Sequence, residues 1–83
     1  MATIQQISLD ATPPSTGRHI LLRLGDGDEF ERQGDNFVYT INRKMPRNLL
    51  EAHVQRILSD AELLADQEKI DKVLVCFDPQ LRN

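Results

Sequence analysis

The sequence predicts an α+β fold: a two-layer domain in which one long helix packs on one face of a mostly antiparallel sheet, with about five strands in ββββαβ order. Three observations carry this reading. Only the stretch Pro46–Gln67 keeps a helical period over many turns. Upstream of it, short β-patterned runs alternate with clusters of Gly, Pro and Asp. Downstream lies a single near-continuous apolar run, Lys72–Phe77, which suits a strand covered on both faces or lying deep in a sheet.

In chain order, Thr3–Leu9 alternates loosely, with Ile7 and Leu9 in one phase and Ile4 in the other, and reads as a first strand. Residues 10–17, Asp-Ala-Thr-Pro-Pro-Ser-Thr-Gly, form a loop, because two prolines remove backbone donors and admit neither ladder nor helix. Arg18–Leu24 resumes the alternation: Ile20, Leu22 and Leu24 face one way, His19, Leu21 and Arg23 the other. Gly25-Asp26-Gly27-Asp28 breaks it as a tight turn. Glu29–Gln33 is a polar strand anchored by Phe30, and Gly34-Asp35 is a glycine-first hairpin signal. Asn36–Asn42, with Phe37, Tyr39 and Ile41 on one face and Val38 and Thr40 on the other, is the strand richest in β-branched and aromatic residues.

Pro46 opens the helix, where its missing N–H costs nothing, although Asn48 and Glu51 stand at capping-box spacing for a start two residues later. Leu50, Val54, Ile57, Ala61 and Leu64 share one narrow face at about 100° per residue, with Leu58 and Ala65 on its flank. Leu63 is the large apolar exception on the outer face. Asp66, Glu68 and Asp71 oppose the dipole at the C-terminal end, so fraying is expected there. After Lys72–Phe77, Asp78-Pro79 stops the ladder, and residues 78–83 are a mostly polar tail. A right-handed crossover makes the last strand parallel to the fourth, hence antiparallel to the first and third, and able to pair beside the first.

The 83 residues make one domain, 1–83, with 40% hydrophobic and 28% charged residues, an ordinary globular balance. A chain this short buries only about 60–65% of its unfolded surface, so its stability is modest. Net charge is −3, which gives no bulk attraction to nucleic acid. One cysteine, Cys76, excludes an internal disulfide and reads as inert packing. With no signal-peptide pattern and no apolar run near about 20 residues, the expected setting is cytoplasmic and away from membranes.

The chemistry-bearing residues do not assemble into a catalytic set. His19 and His53 fall on different elements, and neither has a nucleophile at a recognisable spacing. Two histidines and one cysteine on three elements make no zinc site. The carboxylates from Asp26 to Glu31 fail as an EF-hand loop, because Phe30 stands where an oxygen ligand is needed. Gly25 and Gly27 precede an acidic strand rather than a helix N-terminus, which argues against a phosphate cradle. The expectation is a protein that is not an enzyme and takes no cofactor or metal.

Charge placement is more informative. Asp26–Asp35 holds five acids against Arg32, a net of −4, and Asp60–Asp71 holds five acids against Lys69, also −4. Between them, Asn36–Leu58 sets Arg43, Lys44, Arg47 and Arg56 against Glu51, a net of +3. The function expected from this pattern is a small protein-binding regulator, an inhibitor or accessory subunit. It would present Asp26, Asp28, Glu29, Glu31 and Asp35 to a basic partner, nucleic-acid mimicry being the sharpest version. The alternative is a nucleic-acid binder that uses Arg43, Lys44 and Arg47 at the helix entrance with Tyr39 as a stacking face. The apolar strand 72–77 is further expected to leave an open edge for a homodimer or a partner strand.

Overall fold

The computed structural model of the chain describes residues 3–7 and 17–77. Five strands and one helix follow the expected order: β1 (Thr3–Gln6), β2 (Ile20–Gly25), β3 (Glu29–Gln33), β4 (Asn36–Asn42), α1 (Arg47–Glu68) and β5 (Lys72–Val75). The strands form one sheet ordered β1-β5-β2-β4-β3. The α+β class and the single helix are as the sequence predicts. The expected proline-containing loop (apart from Gly17) and polar tail lie outside the described residues.

The sheet is mixed and mostly parallel, which corrects the expected antiparallel arrangement. The β1–β5, β5–β2 and β2–β4 pairings are parallel, and only β3–β4 is antiparallel. Burial explains the order. β4 offers two faces to cover, Phe37 and Ile41 on one and Val38 on the other, all buried. A strand of that kind belongs inside a sheet. β3, Glu-Phe-Glu-Arg-Gln, is exposed along its whole length and takes the edge. The short link 26–28 therefore carries the chain past the end of β4 instead of forming a hairpin with β2, and β4 inserts between β2 and β3. The real hairpin is β3–β4. Its two-residue loop pairs Gln33 with Asn36, and Gly34, at φ 64°, is its positive-φ residue, the glycine-first turn expected.

A second correction concerns β5. It lies between β1 and β2 and is hydrogen-bonded on both sides, with Val73 opposite Ile4 in one neighbour and Ile20 in the other. Its apolar run does lie deep in the sheet, but it leaves no open edge for a homodimer. It also runs parallel to β1, not antiparallel. The edges of the described sheet are β1 and β3.

Helix α1 is continuous through Ser59, whose Oγ donates back to the Gln55 carbonyl at 3.1 Å. Pro46 is its N-cap, and the Pro46 carbonyl accepts from Leu49 and Leu50. No side-chain cap forms, so the Asn48–Glu51 spacing builds no capping box. The buried face is Leu50, Val54, Leu58, Ala61 and Ala65. Compared with the expected stripe, it is rotated toward Leu58 and Ala65, leaving Ile57 and Leu64 half-buried at its border. That face closes over Ile20, Leu22, Ile41, Val73 and Val75 in the core. Each fully buried aliphatic side chain contributes about 1.5–3 kcal/mol. Packing, not capping, therefore holds the helix in place.

The C-terminal end, where the acids predict fraying, is closed by a cap. Lys69 takes the left-handed conformation at φ 58° and ψ 46°, and Ile70, which is buried, donates to the Ala65 carbonyl at 2.9 Å. This is a Schellman-type closure with its apolar anchor. On the sheet face away from the helix, Val38, Leu74, Cys76 and His19 are also buried.

Candidate functional site

The parallel arrangement brings the C-terminal ends of β2 and β4 and the N-terminal part of α1 to one end of the molecule, where the acidic turn also sits. Arg43 donates its backbone N–H to the Gly25 carbonyl at 3.0 Å, tying the two strand ends together. The expected acidic residues have different tasks here. Asp26 pairs with the Arg43 guanidinium at 3.0 Å. Both groups are well exposed, so the pair itself contributes at most about 1 kcal/mol. Asp28 is built in: its Oδ1 accepts the Asn42 backbone N–H at 3.0 Å and stands 3.2 Å from His53 Nε2. A carboxylate only accepts, so this contact places a proton on Nε2. The Asn42 N–H, followed by His53, holds the Asp28 carboxyl below its usual range, against the opposing effect of partial burial.

Glu29 and Glu31 stand on β3 opposite Thr40 and Val38, on the face away from the helix. Glu31 accepts from Gln33 Nε2 at 3.0 Å. Asp35 lies in the hairpin, where its main-chain oxygen accepts from Arg18. The basic residues of the alternative reading share this end with the acids. Arg43 is engaged by Asp26, the Lys44 backbone N–H is held by Asn42 Oδ1, and Arg47 lies in the first turn of α1.

The other face of β3 builds a feature the sequence reading missed. Phe30 sits opposite Tyr39, their ring centroids 4.6 Å apart, and lies 5.8 Å from Phe37 with nearly parallel planes. Arg32 extends the row, its guanidinium 5.7 Å above the Phe37 ring. Because β3 is an edge strand, Phe30 is left 53% exposed. Between this row and the helix lies an open cleft of about 280 Å³, lined by Asp28, Phe30, Tyr39, His53 and Ile57 among others. Burial, and then the nearby negative charge of Asp60, raise the Tyr39 phenol above its ordinary value. A wider cleft of about 540 Å³ opens beside the acidic turn, between Arg23 and Glu29.

His53 thus belongs to the cleft wall, paired with Asp28. His19 does not reach it and is buried on the opposite face. Cys76 is buried as well, and that burial pushes its thiol up, with Arg23 opposing. Among the described residues no group of three or more His, Cys, Asp or Glu is placed to hold a metal ion, and no helix is long and apolar enough to cross a membrane. Comparison with known proteins returns no matching family, no similar curated protein and no similar solved structure.

Proposed function

We propose that this chain is a non-enzymatic protein-binding regulator that recruits a basic partner strand to the β3 edge. The observation that carries this reading is that, among the described residues, β3 pairs on one side only and is exposed at every residue, with Glu29 and Glu31 on one face and Phe30 on the other. An unpaired edge offers backbone donors and acceptors to an incoming strand. Alternation then dictates its side chains: cations opposite Glu29 and Glu31, and a group that packs on an aromatic ring on the Phe30 side. The adjacent acids raise the encounter rate with a basic partner. Nucleic-acid mimicry is the version in which that partner's basic surface otherwise holds phosphates. The nucleic-acid-binding alternative is weaker, because Arg43 is already engaged by Asp26 of the acidic turn.

The test pairs affinity capture with kinetics, comparing the native chain with a Glu29→Gln/Glu31→Gln variant; Asp28 is left alone because it holds the turn. A captured partner should associate with the variant about tenfold more slowly at low salt, and the salt dependence of association should largely disappear. Equal association rates for the two proteins at every salt concentration would exclude this edge as the working surface. Competition by nucleic acid for the captured partner would mark the mimicry version.

A further inference from the structure

We infer that the cleft between Phe30, Tyr39 and helix α1 is a receptor for a guanidinium group, the side chain of an arginine presented by the basic partner. This rests on the reading that the partner is basic, and specifies which of its groups enters the fold. Three features converge on that chemistry. The floor is aromatic: the Phe30 and Tyr39 rings lie 4.6 Å apart with planes 41° from one another, and more than half of Phe30 faces solvent. A cation above such rings is attracted by their negative faces.

Negative charge stands beside that floor. Asp28 lines the cleft with its orientation set in advance by Asn42 and His53. Asp60, one turn beyond Ile57 on the helix, acts on the Tyr39 phenol through its charge. The helix wall supplies Ile57, a half-buried aliphatic side chain against which the methylene stem of an arginine can pack. Arginine fits better than lysine, because a planar guanidinium stacks flat on a ring while its edge donates in plane to a carboxylate. The same row already holds one such group, since Arg32 places its guanidinium over Phe37 and donates to the Gly34 carbonyl.

The experiment is an NMR titration of the full chain with N-acetyl-arginine methylamide, using the neutral isostere N-acetyl-citrulline methylamide in parallel. The arginine derivative should give saturable shifts at Phe30, Tyr39, His53 and Ile57, and the citrulline derivative should bind about tenfold more weakly. Phe30→Leu, at an exposed position, should weaken arginine binding by a similar factor, as should Asp28→Asn, which keeps an acceptor for Asn42 but removes the charge. Should Asp28→Asn fail to fold, the Phe30 variant and the citrulline comparison decide the matter alone. Equal shifts from the two amides, or no saturable shifts at these residues, overturn the assignment. Failure of the partner reading remains distinguishable. The Glu29→Gln/Glu31→Gln variant keeps Asp28, Phe30, Tyr39, His53 and Ile57 and changes only Glu29 of the cleft lining, so arginine binding to the native chain with no loss of partner association in that variant supports the receptor and removes only the edge.

Discussion

Arg18 caps the end of a helix that closes 50 residues later: its Nη1 donates to the Glu68 carbonyl at 2.6 Å, and its Nη2 stands 3.6 Å from the Glu68 carboxylate. Its Nε donates to the Asp35 carbonyl at 3.0 Å. One guanidinium thus joins the C-terminus of α1 to the β3–β4 hairpin. It also supplies the cation that the acidic last turn of the helix lacks, which opposes the fraying predicted from those acids. Arg18→Met keeps the stem and removes the charge and donors, and should cost about 1–2 kcal/mol. Urea unfolding measures the loss, and amide exchange should show it first at Ala65, Lys69 and Ile70. Arg18→Lys should recover only part of it, since a compact ammonium lacks the planar fork whose separate nitrogens reach the two carbonyls.

The rotated helix face sets an order of sensitivity. Leu58 is 8% exposed and Ala61 not at all, whereas Ile57 is half-buried at the cleft. Burying an unpaired carboxylate costs several kcal/mol, a large part of the stability of a domain this small. Ala61→Asp and Leu58→Asp should therefore unfold the protein at room temperature. Ile57→Asp should leave a folded chain with a lowered melting temperature, because its carboxylate reaches solvent. Circular dichroism melts of the three variants check this, and an Ile57 variant as unstable as the other two would put the buried face back on the originally expected stripe.

Gly25 is required by a close approach, not by a turn. A Cβ built there would meet the Thr40 Cγ2 methyl at 2.5 Å, below any real contact distance. Thr40 cannot simply rotate away, because its Oγ1 accepts from Arg23 Nε at 3.0 Å. Gly25→Ala should cost about 1–3 kcal/mol, the usual range for overpacking. Gly27→Ala, with nothing within 4 Å, should be nearly silent. Paired denaturant titrations of the two variants separate local crowding from a general effect of glycine loss in this turn.

The elements were legible in the sequence; their neighbours were legible only where a short-range rule applied. Helix and strands came from periodicity, and the Gly34-Asp35 turn set the β3–β4 register, since pairing Gln33 with Asn36 places Phe30 opposite Tyr39. The aromatic row could have been read from that alone. The position of β4 between β2 and β3 was recoverable in principle from its two apolar faces set against the polarity of β3. The contact between His53 and Asp28 spans 25 residues and depends on how the helix lies on the sheet. No local pattern encodes it. The rotation of the buried helix face has the same origin: the period gives a stripe, and the sheet chooses its centre.

His19 supplies a prediction about pH. Its side chain is 7% exposed, and Nδ1 is buried without a hydrogen-bond partner among the described residues. Burial first, and then the charge of Lys72, lower its pKa from the ordinary value of 6.5. The unfolded chain therefore takes up a proton near pH 6.5 while the folded chain does so only at a lower pH. Stability is complete above 6.5 and falls as pH drops toward the folded value, by at most about 1.4 kcal/mol per pH unit for one proton. His19→Leu removes both the titration and the unsatisfied nitrogen at similar volume. It should match or exceed the native chain at pH 7.5 and widen its advantage down to pH 5, above the range where the carboxylates begin to protonate. Urea unfolding of both proteins at pH 7.5, 6 and 5 provides the measurement. A stability difference that stays constant across those conditions would mean that His19 is equally ready to accept a proton in the folded and unfolded chains.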